Sequence, residues 1–284
     1  MNNWIILTIL YAFFVSLDEV LKKKATKINS VYEVLACFTP IALILTFIIT
    51  KDIFDINYHF LPIILLKSTV VVIAWVLGLK ALDGLQLGTY GIIKTSRIIF
   101  SIFLSCIFLN EKMNLITLFG ILIIIIGLIL VSTTANNDSN KKNSIKLTLL
   151  FLISCFCSSI SAIMDKKILL HISSGQLQFW FLLFLTFYYW IILLIKREKI
   201  NYKILKNNPW IIPIALCLVI ADRLLFMANK ISSSQVIIMT IIKQLSIIIS
   251  IILGKIIFKE KNIIKKLLYA SLILFGIVIT IVSK

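Results

Sequence analysis

Charged residues are scarce in this sequence, and their scarcity excludes a soluble globular domain. Only 14% of the 284 residues are Asp, Glu, Lys or Arg, whereas 60% are apolar and the mean hydropathy is +1.06. Soluble domains carry about 25% charged residues. Strand-like alternation of polar and apolar residues is also missing, which argues against a membrane β-barrel. A protein of membrane-spanning helices remains, because lipid offers no hydrogen-bond partners to open backbone groups.

Motifs for nucleotide, metal and hydrolytic chemistry are missing as well. No Gly-x-Gly-x-x-Gly, Walker loop, Gly-x-Ser-x-Gly or His-Glu-x-x-His pattern occurs, and the two histidines have no partners at metal-ligand spacing. The five cysteines all fall within apolar runs, as small core residues do. We therefore predict no metal, no cofactor and no enzymatic activity. A membrane-embedded lipid-modifying enzyme stays open as an alternative, although it would need clustered acids with a metal, or several membrane-facing histidines.

The strong positive charge does not predict nucleic-acid binding. The net charge is +17, but most of the basic residues lie between apolar runs. In a membrane protein, basic residues at these places meet lipid headgroups and influence topology. We therefore predict that the chain contacts membrane lipids and binds no nucleic acid.

The apolar runs are long enough for ten spanning helices in two groups of five. A bilayer core of about 30 Å needs about 20 apolar residues per helix. A polar linker, residues 135–145, divides the chain into a first repeat (1–134) and a second repeat (146–284). The first run lacks a basic leader and a small-residue cleavage site, so we expect it to remain as a helix. The predicted spans cover residues 4–21, 31–50, 60–79, 87–108, 116–132, 147–164, 176–195, 209–227, 235–258 and 267–282.

The two halves share one segment of clear similarity. Residues 92–112 align without a gap on residues 241–261, and 11 of the 21 positions are identical at an offset of 149. The match includes a lysine within each apolar run, Lys94 and Lys243. An odd number of spans per half brings the halves into the membrane from opposite sides. We therefore predict an all-α membrane protein of ten helices in two inverted five-helix repeats, as in many secondary transporters.

The helix ends that follow these lysines resemble a known family. The fourth and ninth spans close on Glu111-Lys112 and Glu260-Lys261, ahead of the glycine-bearing segments 115–127 and 267–276. With its five-plus-five repeat, the chain resembles the drug/metabolite transporter superfamily, EamA type. The resemblance implies alternating-access transport of small metabolites or drugs without ATP hydrolysis. It implies no particular substrate, because members of this superfamily carry very different ones.

Polar and charged side chains recur on one face of the fourth and ninth spans. Charges deep in a span cost about 2.5–3.5 kcal/mol each and indicate function. Two lysines that face one cavity repel each other unless an anion or carboxylates lie between them. The spacing of four, three and four residues selects Tyr90, Lys94, Arg97 and Ser101, and then Met239, Lys243, Ser246 and Ser250.

The repeated lysines leave two interpretations open. In the first, Lys94 and Lys243 line a cavity and bind an anionic substrate; the further candidate binding residues are Arg97, Tyr90, Ser246 and Arg223. In the second, each lysine pairs with an acid; the candidate acids are Asp18, Glu19, Asp165 and Asp222. The nucleotide-sugar and triose-phosphate branches of the superfamily have substrate-binding lysines on their fourth and ninth helices. Resemblance to these branches implies the same role for Lys94 and Lys243.

Two further features bear on coupling and on substrate charge. A carboxylate in a low-dielectric cavity can exchange a proton, so we predict Glu19 and Asp222 as coupling residues with protons as the coupling ion. Eight aromatic residues crowd positions 179–190 of the seventh span. The alternative site is therefore an aromatic cage for a quaternary amine, built with Trp75, Tyr90 or Tyr188, in an exporter of cationic compounds.

The expected function is that of a secondary transporter. We expect a multi-pass protein of a bacterial-type cytoplasmic (inner) membrane that moves a small polar metabolite, anionic or zwitterionic, by alternating access. Its orientation has conflicting signals. Loops after the odd-numbered spans hold most of the Lys and Arg residues, so the positive-inside rule places both termini outside. The family resemblance implies that both termini are cytoplasmic, and we adopt that orientation.

The orientation is tested with reporters fused after Lys284. We expect green fluorescent protein at this position to fluoresce and alkaline phosphatase to be inactive, because a cytoplasmic terminus suits only the first reporter. Fusions after residue 197, in the loop between the seventh and eighth spans, serve as the control and should give the opposite pattern. Active phosphatase after Lys284 would reverse the orientation.

Overall fold

The structure, a computed structural model, is a bundle of helices. It describes residues 3–109, 115–135, 141–197, 204–231, 242–243, 245–260 and 263–282, and these ranges contain no strand. The helices are α1 (Asn3–Ala25), α2 (Val31–Ile49), α3 (Leu61–Gly84), α4 (Leu87–Ile93), α5 (Ser96–Leu109), α6 (Leu115–Ala135), α7 (Lys141–Ile168), α8 (Ser174–Lys196), α9 (Ile204–Asn207), α10 (Ile211–Lys230), α11 (Leu245–Phe258) and α12 (Ile263–Val282).

Several of these helices match the thickness of a bilayer. Within the described ranges, six helical segments are long and apolar enough to cross a membrane: Trp4–Ala25, Val31–Ile49, Tyr58–Gly84, Ile145–Asp165, Ser174–Lys196 and Ile211–Lys230. Many large apolar side chains on the outside of the bundle are exposed, among them Ile48, Leu66 and Leu194. Such a surface suits lipid and not water. An all-helical, multi-pass membrane protein is therefore confirmed, while the count of ten spans stays a prediction.

The helices of the two halves make equivalent packing contacts. Helix α1 packs against α10 and α3 packs against α7, whereas α2 packs against α8 and α6 against α12. The exchange of α1, α2, α3 and α6 with α7, α8, α10 and α12, respectively, gives the same set of pairs. The pair of α1 with α10 becomes that of α7 with α3, and the other two pairs are unchanged. The contacts of α5 with α7 and of α11 with α1 correspond in the same way. Two repeats related by a twofold axis give this pattern.

The fourth span is interrupted, where the sequence predicts one continuous helix over residues 87–108. Helix α4 ends at Ile93 and α5 begins at Ser96. At the interruption the Thr95 N–H donates to the Ile92 carbonyl, three residues back, at 3.0 Å, and the Thr95 hydroxyl donates to the same carbonyl at 2.8 Å. These bonds replace the regular pattern of four-residue spacing. Lys94 consequently lies at an irregular turn in the middle of a span.

Other boundaries differ from the predictions by up to one or two helical turns. Helix α1 continues beyond the predicted residue 21 to Ala25, with three lysines in its last turn. The predicted linker over 135–145 is helical from Lys141, because α7 begins there, and residues 136–140 lie outside the described part of the chain. Glu111, Lys112 and Met239 from the predicted motifs also lie outside it.

A buried carboxylate joins the halves at the start of α4. The backbone N–H groups of Leu87 and Gly88 donate to the two oxygens of Glu260, the second at 3.1 Å. Lys266 donates to Glu260 at 2.8 Å, and Lys23 lies 4.0 Å away. The first N–H groups of a helix have no partners within the helix and carry partial positive charge, so a carboxylate is well placed there. We call Glu260, Lys23 and Lys266, with the N-terminus of α4, the Glu260 cluster.

Neutralising Glu260 should destabilise the protein. Glu260→Gln leaves Lys23 and Lys266 without their carboxylate, and both lysine side chains are less than 10% exposed. Removal of one partner from a buried ion pair costs about 3–5 kcal/mol. We expect the apparent Tm of the purified protein in detergent to fall by several degrees, whereas Lys255→Gln on the exposed side of α11 should leave it unchanged. An unaltered Tm for Glu260→Gln would contradict this role.

Candidate functional site

A cavity of about 470 Å³ lies between the two halves of the bundle. Of the described residues that line it, five carry positive and four carry negative charges: Lys22, Lys67, Lys94, Arg97 and Lys243, and Asp18, Glu19, Asp165 and Asp222. Tyr90 and Ser246 line it too, whereas Arg223 does not. Except for Arg223, all the predicted binding and coupling residues therefore share one cavity.

Lys94, the lysine at the interruption of the fourth span, is neutralised by Glu19. Its Nζ lies 2.5 Å from Oε1 of Glu19 on α1. The other oxygen of Glu19 accepts a hydrogen bond from Ser250 on α11 at 3.0 Å. Glu19 thus joins α1, α11 and the interrupted span. For Lys94, the structure follows the interpretation in which the lysine pairs with an acid.

Two more lysines of the cavity are paired in the same way. Lys67 of α3 lies 2.7 Å from Asp165 of α7, and the Phe181 ring covers its ammonium at 3.7 Å. Lys22 and Asp18, one turn apart on α1, are separated by 2.6 Å. Charges in a membrane interior persist when such partners are close. Three of the five cations are thereby neutralised.

The remaining three charges of the cavity have no such partner. Among the described residues, no carboxylate lies within 4.0 Å of Arg97 or Lys243, and no basic group lies that close to Asp222. The Nε atom of Arg97 is buried without a hydrogen-bond partner. Lys243 lies over the Tyr11 ring, with Nζ 5.7 Å from its centroid. Lys243 is close enough to Asp165 and to Arg97 to interact electrostatically with both, and Tyr11 interacts with both Arg97 and Asp222.

The three rings of the predicted aromatic cage each contact another side chain of the protein. Lys22 already occupies the face of Trp75, with its Nζ 5.1 Å from the ring centroid. Tyr90 stacks on Phe151 with the ring centroids 4.0 Å apart. The hydroxyl of Tyr188 is 2.8 Å from that of Thr69 and forms a hydrogen bond with it. Trp75 and Tyr90 both line the cavity and Tyr188 does not, and each of the three rings has a protein partner of its own.

Arg223 holds helices together outside the cavity. Its Nε donates to the side-chain oxygen of Gln178 on α8 at 2.8 Å, and a terminal nitrogen donates to the Thr50 hydroxyl at 2.5 Å. Thr50 directly follows α2, so the guanidinium connects α2, α8 and α10. Because Asp222 and Arg223 are adjacent on α10, they point in different directions, and only Asp222 faces the cavity.

Three important cavity residues are not singled out by the sequence argument. Tyr11 and Lys22 lie on α1, and Lys67 is the one charged residue of the predicted span over residues 60–79. Lys67 could have been found from the sequence, because a lone lysine in an apolar run is costly to insert into a membrane and therefore indicates function. Within the described ranges, no three His, Cys, Asp or Glu side chains are arranged to hold a metal ion.

Spanning helices in two repeated halves, with a charged cavity between them, define the class of multi-pass membrane transporters. Comparison with known proteins agrees with this class. Residues 2–133 and residues 145–282 each match the EamA-like transporter family. The chain therefore belongs to the EamA-like transporter family, and the resemblance inferred from the sequence is confirmed.

The fold is also found in solved structures. A crystal structure of a protein matches with a TM-score of 0.69 over 96% of this chain and 95% of that chain, at 12% sequence identity. At this identity the similarity shows the fold alone. None of the curated proteins matches the sequence.

The position of Arg223 predicts a structural role. Arg223→Met removes its hydrogen bonds to Gln178 and Thr50, and hydrogen bonds to charged groups contribute about 1.5–3 kcal/mol each. We expect the variant to lower the apparent Tm of the purified protein while binding of the transported solute persists. Arg197→Met, at an exposed helix end, is the control. Loss of binding at an unchanged Tm would return Arg223 to the substrate site.

Proposed function

We propose that this protein is a secondary transporter for a small polar solute that carries a negatively charged group, whether as an anion or as a zwitterion. The charged group binds between Arg97 and Lys243. The family match supports transport in general. The charge distribution of the cavity supports this choice of substrate.

The observation that carries the proposal is the pair of cations without carboxylates. Arg97 and Lys243 face one cavity in a low-dielectric surrounding, where like charges repel strongly. An anionic group between them removes the repulsion and gives the guanidinium a hydrogen-bond acceptor. Arg in particular binds carboxylate and phosphate with two parallel hydrogen bonds. A neutral solute would leave the repulsion between the two cations in place.

The other charged residues take supporting roles in this proposal. Lys94 is compensated by Glu19, so we assign it to positioning the interrupted span and not to the substrate. Asp222 faces the cavity without a basic partner among the described residues. It is the proposed acceptor for the coupling proton, or for the ammonium group if the solute is a zwitterion. Tyr11 interacts electrostatically with both Arg97 and Asp222.

Alternating access follows from the proposed inverted relation of the halves. Each half enters the membrane from the opposite side, and rocking of one half against the other opens the cavity to one side at a time. The Glu260 cluster joins α1, α4 and α12, and it begins at Lys23, next to the cavity residue Lys22. We assign this cluster to closing one end of the cavity. Its ion pairs separate when that end opens.

The two alternatives are less well supported. A quaternary amine would meet a cavity with more cations than carboxylates among its described residues, and Trp75 is covered by Lys22. A lipid-modifying enzyme requires reactive groups that the described part of the cavity does not assemble around a metal. The match to a transporter family supports transport over an enzymatic role.

The proposal predicts which solutes cross and which variants fail. We expect proteoliposomes to accumulate succinate, glycerol 3-phosphate or alanine by counterflow, and not choline. Lys243→Met and Arg97→Met should each lower uptake at least about tenfold, because loss of a buried charged contact costs 2–5 kcal/mol or more.

The matched control is Lys80→Met, which removes a lysine of α3 that lies outside the cavity, against the Tyr32 ring. This variant should transport as the wild type does. All variants are compared at equal amounts of inserted protein. Wild-type uptake by both Lys243→Met and Arg97→Met would contradict the proposal, and uptake of choline alone would replace it by the cationic alternative.

A further inference from the structure

The two halves are in register at the level of single hydrogen bonds. Ser16 on α1 donates to the Ser246 carbonyl at 3.0 Å, and Ser159 on α7 donates to the Arg97 carbonyl at 2.9 Å. Each serine also donates to the carbonyl four residues earlier in its own helix. Arg97 and Ser246 are separated by 149 positions, the offset of the repeated segment in the sequence. The two contacts are therefore the same contact in the two halves.

The start of the second helix of each half, α2 and α8, gives the same register. Ser30 and Ser173 each begin a helix with a reciprocal pair of hydrogen bonds, to Glu33 and to Gln176 respectively. These two serines are separated by 143 positions, as are Ser16 and Ser159. Position 19 in the first half consequently corresponds to position 162 in the second.

This register exposes one broken symmetry. In the first half, Glu19 neutralises Lys94 and accepts a hydrogen bond from Ser250. The corresponding residues of the second half, Ala162, Lys243 and Ser101, all line the same cavity. The lysine and the serine are retained, and only the carboxylate is replaced by a methyl group. No carboxylate of the described residues is paired with Lys243 as Glu19 is with Lys94; Asp165, which interacts with Lys243 electrostatically, lies beyond 4.0 Å and is paired with Lys67.

We infer that Ala162 determines the charge selectivity of the cavity, because an alanine here leaves Lys243 free to bind the substrate's negative group. The inference rests on the proposed function and adds a residue to it. Arg97 reinforces the asymmetry, since its counterpart in the second half is the uncharged Ser246. The first half supplies its own anion to its lysine, and the second half takes its anion from the substrate.

The charge at position 162 is tested by adding a carboxylate there, with and without Lys243. Ala162→Glu should lower counterflow uptake of succinate and alanine at least about tenfold, because Glu at this position neutralises Lys243. Ala162→Gln has the same size without the charge and should stay within about threefold of the wild type. The double variant Ala162→Glu/Lys243→Met should transport no less than Lys243→Met alone, because the added carboxylate then has no Lys243 to neutralise.

The three variants separate charge from packing. Wild-type uptake by Ala162→Glu would overturn the inference, as would an uptake by the double variant that is well below that of Lys243→Met alone. Equal losses in Ala162→Glu and Ala162→Gln would assign the effect to size and overturn it too. If Lys243→Met abolishes uptake while Ala162→Glu does not, the proposed function stands and only the role of position 162 fails.

A measurement without any substrate tests the same point. In a background in which the five natural cysteines are replaced by serine or alanine, Ala162→Cys is modified with an anionic and a cationic methanethiosulfonate of similar size. A cation that lines the same cavity favours the anionic reagent, and removing it with Lys243→Met should lower the ratio of the two rates roughly fourfold or more. Glu19→Ala should not lower this ratio. An unchanged ratio in Lys243→Met would show that position 162 does not sense Lys243 and would overturn the inference.

Discussion

The energetic cost of holding charge inside a membrane governs this molecule. Nine of the described cavity residues are charged, and each has to be compensated in a medium that offers little solvation. Three ion pairs compensate six of them, and two of these pairs also connect helices: Glu19 joins α1 to the interrupted fourth span, and Asp165 joins α7 to α3. The remaining charges are the ones available to a solute. Structure and selectivity therefore depend on the same balance of charge.

The balance of charge can be analysed by comparing the two repeated halves. A twofold arrangement gives each side chain a counterpart, so a difference between counterparts marks where one half has acquired a separate role. The backbone register is symmetric, as the hydrogen bonds of Ser16 and Ser159 show, whereas the charges are not. Lys94 forms an ion pair with Glu19, whereas Lys243 forms no such pair among the described residues. The carboxylate that makes this difference lies on a neighbouring helix and not on the helix of either lysine.

The sequence predicts the class of fold and the residues of the cavity better than it predicts their partners. Apolar runs and the 149-residue offset lead to helices, to repeats and to Lys94 and Lys243, because these are properties of one segment at a time. The Glu19–Lys94 pair spans 75 positions and depends on how helices pack, so it stays one alternative among several. The interruption at Thr95 depends on side-chain competition with the backbone, which hydropathy does not register. Asp222 and Arg223 are neighbours in the sequence and point to different sides of α10, so only the packing of this helix decides which of the two faces the cavity.

The most direct test of the account is an experimental structure with the transported solute bound. The account predicts that the negatively charged group of the solute lies between Arg97 and Lys243, with an oxygen about 3 Å from a guanidinium nitrogen. Lys94 should remain paired with Glu19 in that complex. A solute whose charged group lies against Lys94, with Glu19 displaced, or against the Trp75 ring in place of Lys22, would contradict it.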